Sequence, residues 1–146
     1  MDNKDEKILE LLKGNSKLRT SQISKKLLMP ITTVHNRIKK LEKEGIIKKY
    51  TLELNNKKLG KAIAAYVHIN VDYTHLRDLK ISQHDLAKKI RQHECVENAD
   101  VVAGGTDIII KVRVKDIEDL DLFVIKYLRN IEGVEKTQTM VILKEI

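Results

Sequence analysis

KLRTSQISKKLLMPITTVHNRIKKLEKEGIIKK, residues 17–49, decides how the rest of this chain is read. It describes two short helices meeting at a tight corner, the second with an apolar edge. Val34, Ile38 and Leu41 recur at i, i+4 and i+7, and Ile31 carries that edge one turn further back. At about 100° per residue, Thr32, Asn36, Lys39 and Lys43 gather on the opposite edge, flanked by Thr33, His35 and Lys40. A helix so built is held by its apolar side and offers water short hydrogen-bonding groups, then cations. The major groove of a duplex asks for that order: base-edge readers near the helix start, phosphate partners beyond. A plain surface helix kept soluble by lysines has the same outline, so composition has to decide.

Residues 1–60 hold 15 lysines and arginines against 7 acids, a net of +8. Residues 61–146 hold 13 against 14, a net of −1. The basic excess of this 146-residue chain therefore lies wholly in its first part, where a localised field attracts a polyanion. An anionic membrane is the competing partner. The longest apolar run, Ala62–Val67, falls far short of the roughly 20 residues that span a bilayer. Asp2 and Asp5 open the chain without the cationic start of a secretory signal, so no membrane partner and a cytoplasmic location are expected. Cys95 is the sole cysteine, and His68, His75, His84 and His93 fall at no spacing typical of zinc; no metal and no cofactor are expected.

Outward from the quoted stretch, Asp2 or Asp5 caps a first helix that carries Ile8, Leu9, Leu11 and Leu12 and ends at Gly14-Asn15. Thr20 suits the cap of a second helix through Ile23 and Leu27, and Gly45 stops the reading helix after about Glu44. Ile47–Leu54 reads as an extended wing, with Tyr50, Leu52 and Leu54 alternating. Three helices and a strand make a winged helix-turn-helix over residues 1–60.

From Ala62 the period changes to two. Ile63, Ala65, Val67, Ile69 and Val71 alternate with Ala64, Tyr66, His68, Asn70 and Asp72, a strand with two distinct faces. Ser82 with Asp85 announces a helix through Leu86 and Ile90 to His93. Val96–Ala103 and Ile108–Val114 read as strands around the loop Gly104-Gly105-Thr106-Asp107. Asp116 caps a helix with Ile117, Leu120, Phe123, Val124, Tyr127, Leu128 and Ile131 inward; Gly133 ends it, and Val134–Leu143 is a last strand. The order β-α-β-β-α-β over residues 61–146 is the ferredoxin-like split arrangement, so the fold class is α+β. Two helices cover one face of such a sheet. The other, with Ala64, Tyr66, His68 and Asn70 on the first strand, suits a partner subunit, and makes His68 an interface residue rather than a ligand.

The run Thr33-Val34-His35-Asn36-Arg37-Ile38-Lys39-Lys40-Leu41-Glu42-Lys43-Glu44-Gly45-Ile46-Ile47 resembles the reading helix and exit of the Lrp/AsnC (leucine-responsive, feast–famine) transcriptional regulators. The opening Asp2-x-x-Asp5-x-x-Ile8-Leu9, Tyr50 and the hinge-like Lys58-Leu59-Gly60 are similar to the same family, so the likeness runs through nearly the whole chain. It implies a sequence-specific regulator of transcription that binds double-stranded DNA. The second half is then a RAM (ACT-like) domain, which pairs chains into a homodimer and assembles dimers into tetramers or octamers. Thr32, Thr33, His35 and Asn36 become candidate base readers, with Asn36 foremost because its amide can bond adenine bidentately. Lys39, Lys40 and Lys43 become candidate phosphate partners. Arg37 matches the family's recurrent arginine, and both a phosphate contact and an internal ion pair stay open for it. Leu28 stands where that family places a turn glycine, and Pro30 where it places a capping Ser or Asn; with no acceptor on Pro30, Thr32 is expected to take over as cap.

In the RAM loop of that family, backbone amides and an acidic residue hold a small amino-acid effector. Gly104 and Asp107 fit the motif; Thr106 replaces a common tyrosine and Gly105 a polar residue, while Thr137 and Thr139 match neighbouring pocket positions. The bland reading is a tight turn that the glycines permit and Asp107 caps. Tyr73–Ile81 is longer than that family's norm.

An enzymatic alternative exists, because relatives of the same outline act as haem-pathway decarboxylases. Those call for a basic or histidine-lined cavity in the second half, whose net charge here is −1. No hydrolase nucleophile motif or phosphate-cradling loop occurs, and no catalytic residue is assigned. RNA binding by base stacking fails for want of aromatics: of Tyr50, Tyr66, Tyr73, Phe123 and Tyr127, none lies in the reading helix.

Overall fold

The computed structural model describes all of residues 1–146, which divide into two compact units, Met1–Leu54 and Asn55–Ile146. In the first, α1 (Asn3–Gly14) starts from a reciprocal cap. The Asp2 carboxylate accepts from the Lys4 and Asp5 amides at 2.9 and 3.0 Å, and the Asp5 carboxylate accepts from the Asp2 amide at 3.0 Å. Helix α2 (Thr20–Leu27) begins one residue earlier than expected. Thr20 is already helical; Arg19 is the cap, its amide donating to Gln22 Oε1 at 2.8 Å.

The corner after α2 is made by Leu28 at φ 52°, ψ 45°, the left-handed conformation usually given to glycine. Its side chain is 93% exposed, so nothing it packs against offsets a cost on the order of 1 kcal/mol. The Ser24 hydroxyl ties the corner by donating to the Met29 carbonyl at 2.5 Å. Helix α3 (Ile31–Lys43) starts directly after Pro30, which occupies the cap position with no side-chain bond, so Thr32 lies inside the first turn and does not cap it. Gly45, at φ 71°, turns the chain away, and the Ile46 and Ile47 amides close on the Leu41 carbonyl at 3.0 and 3.1 Å. Ile8, Leu12, Ile23 and Val34 form the core of this unit. The expected wing strand over Ile47–Leu54 is not formed. A strand needs a neighbouring backbone to satisfy its amides, and no other extended segment is present in this unit. Tyr50 instead pins the segment to α3 by donating to Glu42 Oε1 at 2.9 Å.

In the second unit four antiparallel strands lie in the order β2-β3-β1-β4, with β1 (Ile63–Val71), β2 (Val96–Val101), β3 (Ile108–Val114) and β4 (Val134–Val141). The split β-α-β-β-α-β arrangement is therefore present, with one short addition, α4 (Tyr73–Asp78), ahead of α5 (Gln83–Arg91). Ser82 and Asp85 form the reciprocal cap of α5. The last helix, α6, starts at the Asp116 cap as a regular α-helix over Ile117–Asp121. It widens to a π-turn over Leu122–Tyr127 and tightens to 3₁₀ over Leu128–Asn130. Leu120, Phe123, Val124, Leu128 and Ile131 are buried, whereas Ile117, expected inward, is 54% exposed at the first position of the helix, ahead of the change of pitch. Strands β2 and β4 each stop two residues short of the expected end; at β2 the Val102 amide bonds Asp107 and closes the loop instead.

On the open face of the sheet, Tyr66 is exposed, His68 and Asn70 are half-buried, and Ala64, expected bare, is buried. Ala64 is paired in register with Arg113, which is also buried and bonded to Glu97 and Glu145. Lys111 joins the same cluster through Glu145 at 2.7 Å.

Candidate functional site

Val34 and Leu41 are buried and fix the rotation of α3. Rotation fixed in this way leaves Thr32, His35, Asn36, Lys39, Lys40 and Lys43 exposed along one ridge, with Thr33 half-buried beside it. Lys39 and Lys40 touch Glu42 and Glu44 at 3.2 and 3.8 Å. Both pairs are solvent-exposed, and such pairs are worth less than about 1 kcal/mol, so they yield readily to a stronger anion.

Arg37 is placed differently. Its Nη1 donates to Asp2 and to Asp5 at 2.8 Å, joining the start of α1 to the middle of α3. Of the two roles open to it, the structure displays the internal ion pair. Asp5 is only 4% exposed and has no other cation within reach. Arg37 and the Asp2 amide hold the Asp5 carboxyl below its ordinary 3.8 against burial, which acts to raise it. Asp2 falls to about 2, through the Asp5 amide first and Arg37 second. Depressed carboxylates stabilise the fold fully above their ordinary value and lose that contribution as the pH falls through the folded one. We expect the N-terminal unit to lose stability between about pH 4 and pH 2. Arg37→Met lowers the melting temperature clearly at pH 6 and progressively less toward pH 2. Thermal unfolding followed by circular dichroism across that range checks this; a deficit that stays constant with pH would show that Arg37 acts by packing alone.

The Gly104–Asp107 loop is tied down on every side. Asp107 Oδ2 accepts from the Val71 amide at 2.9 Å, and Asp107 Oδ1 accepts from the Tyr73 hydroxyl at 2.6 Å. Gln83 Nε2 donates to the Asp107 carbonyl at 2.7 Å, and Asn70 Nδ2 donates to the Gly105 carbonyl at 2.9 Å. His68 Nδ1 lies 3.2 Å from Thr106 Oγ1, so one of its ring nitrogens is engaged within the chain. Thr137 and Thr139 do not join this cluster. They pair in register with Ile69 and Val67 and so share the helix-covered side of the sheet, where Thr137 accepts from Arg129 Nε at 3.2 Å. Asn70 and His68, which hold the loop, belong to the opposite side. Within one chain the six expected effector residues thus form two groups. Sequence reasoning missed Asn70, Tyr73 and Gln83, because a loop's supports come from elements distant in sequence.

A separate cleft of about 370 Å³ is lined by His93, Cys95, Phe123 and Tyr127 together with Lys61, Lys115, Glu94 and Asp119. Burial pushes the Cys95 thiol upward, away from reactivity. No cluster of His, Cys, Asp or Glu suited to a metal occurs, and no helix is long and apolar enough to cross a membrane.

A three-helix unit with a cationic ridge, joined to a split βαββαβ unit with a closed glycine loop, has the architecture of a two-domain DNA-binding regulator. Residues 1–48 match the winged helix-turn-helix DNA-binding family, and residues 64–146 match the Lrp/AsnC ligand binding domain. The chain belongs to the Lrp/AsnC family of HTH-type transcriptional regulators. It is 42% identical to an uncharacterized HTH-type transcriptional regulator of Pyrococcus furiosus, over 97% of this chain and 91% of the relative. The HTH-type transcriptional regulator FL11 of the same organism is 35% identical, over 99% and 90%. Among solved structures, a transcriptional regulator of Neisseria meningitidis in complex with L-Met superimposes with a TM-score of 0.91 at 25% identity, over 100% of this chain and 92% of that one. AsnC of E. coli gives 0.85 at 25% identity, over 99% and 93%. The expected fold class and family are both borne out, and the protein is a DNA-binding regulator of transcription.

Proposed function

We propose that α3 lies in the major groove with Thr32, Thr33, His35 and Asn36 toward base edges and Lys39, Lys40 and Lys43 toward phosphates. The observation that carries this is the exposed ridge, with short polar groups preceding cations on a helix whose other edge is locked into the core. Arg37 serves by bracing α3 against α1 through its ion pair rather than by touching DNA. Two chains pair through the open sheet face around Tyr66, His68 and Asn70, giving a homodimer with two reading helices; dimers associate further. The Gly104–Asp107 loop takes a small amino acid through Asp107, a reading supported by the ligand-binding family match and by the L-Met complex of the Neisseria relative. Thr137 and Thr139 contribute to that site only from another chain. The decarboxylase alternative finds no support in the cleft near His93, whose lining offsets two lysines with two acids and whose Arg113 is committed to Glu97 and Glu145.

Selection from a random duplex pool, followed by footprinting at moderate ionic strength, tests the reading. The expected result is one two-fold symmetric site with its halves about one helical turn apart. Recovery of unrelated, asymmetric sequences would remove α3 as a reader.

A further inference from the structure

Asp107 is the most heavily engaged side chain of the Gly104–Asp107 loop. One carboxylate oxygen is taken by the Val71 amide, a contact built into the end of β1. The other is taken by the hydroxyl of Tyr73, the first residue of α4, the short helix that makes this connection longer than the split fold requires. At 2.6 Å the Tyr73 bond is the shorter of the two, and Gln83 Oε1 stands 3.4 Å from the same hydroxyl. The contact shows on both partners: it lowers the Asp107 carboxyl and raises the Tyr73 phenol, as its first cause in each case. Each Asp107 oxygen therefore already carries a protein donor, and the exposed contact of the two is the one from the Tyr73 hydroxyl. A ligand ammonium that approaches it meets a neutral donor already in place.

That neutral donor is replaceable. An N⁺–H donor forms a charge-assisted bond to a carboxylate, roughly twice as strong as a neutral one. Tyr73 is itself half exposed, so its hydroxyl returns to water on release without leaving an unsatisfied group behind. The Val71 amide holds Asp107 in position throughout the exchange. We infer that Tyr73 is a latch on the ligand loop, which an amino-acid ammonium must displace from Asp107 Oδ1 in order to bind. The inference rests on the effector reading of that loop given above and assigns its regulation to α4.

Isothermal titration of the full chain with each of the twenty common amino acids, in wild type, Tyr73→Phe and Asp107→Asn, tests it. The amino acid that binds wild type binds Tyr73→Phe about 3–10-fold tighter, the factor released with one neutral hydrogen bond, and is lost in Asp107→Asn. Without ligand, the Asp107 amide, which donates to the Ile69 carbonyl at 3.1 Å, exchanges faster in Tyr73→Phe. An amino acid that binds Tyr73→Phe no tighter than wild type overturns the latch and leaves the effector reading standing. No heat from any amino acid with wild type or with Tyr73→Phe overturns both.

Discussion

Gly133→Ala destabilises the C-terminal unit by about 2–5 kcal/mol, enough to consume a large share of a typical domain's 5–15 kcal/mol. Two costs add. Gly133 sits at φ 94°, where any side chain is strained. A methyl built there lands inside the Leu76 side chain, and 3.5 Å from Leu86 Cδ2. Both leucines are core residues. Leu76 is buried between α4 and the sheet core, so relief of the contact requires its side chain to repack inside the core. The Gly133 carbonyl also receives the Asp72 amide at 2.9 Å, which binds the approach to β4 to the end of β1. Gly105→Ala is the matched control: an added methyl meets nothing within 4 Å and no left-handed backbone is required, so stability stays within about 0.5 kcal/mol. Urea unfolding of the two variants, read by amide exchange along β1 and β3, separates them. Equal midpoints would mean that the Leu76 junction is soft and that α4 packs loosely.

Legibility of this chain from its sequence followed the range of the interactions involved. Local signals worked. The Asp2–Asp5 and Ser82–Asp85 caps, the stop at Gly45 and the period change at Ala62 are encoded within a few residues and reappear as hydrogen bonds or backbone angles. The left-handed corner at Leu28 was readable as a departure from the family's glycine, and the chain accepts the strain rather than rebuilding the turn. Signals that needed a second element did not carry. Ile47–Leu54 has the alternation of a strand but no partner backbone in its unit. Ile117 fits the 3.6-residue stripe of α6, yet as the first residue of the helix it stays exposed. The ridge of α3 could be drawn from periodicity, but which of its cations is held internally could not: Arg37 meets Asp2 and Asp5, more than thirty residues away. The loop's residues were named from a motif, whereas their neighbour Tyr73 arises from a segment for which the motif has no counterpart.

Asn36→Ala and the triple change of Lys39, Lys40 and Lys43 to alanine are expected to damage DNA binding in opposite ways. Asn36 is exposed beside Thr32 and His35, one to two turns from the corner, where a short amide can reach a base edge. Its truncation costs roughly 1–3 kcal/mol at a single base pair of the selected site and leaves affinity for random duplex unchanged. The three lysines lie further along the same ridge, and two of them share water-exposed contacts with Glu42 and Glu44. Removing all three weakens every sequence alike. The slope of log affinity against log salt concentration falls by about 2.7, close to 0.9 for each phosphate neutralised. Fluorescence anisotropy on the selected site and on a scrambled duplex, from low to high salt, yields both quantities from one set of titrations. Loss of affinity for both duplexes in Asn36→Ala would make Asn36 a backbone contact, and an unchanged slope in the triple variant would put the phosphates elsewhere on the basic unit.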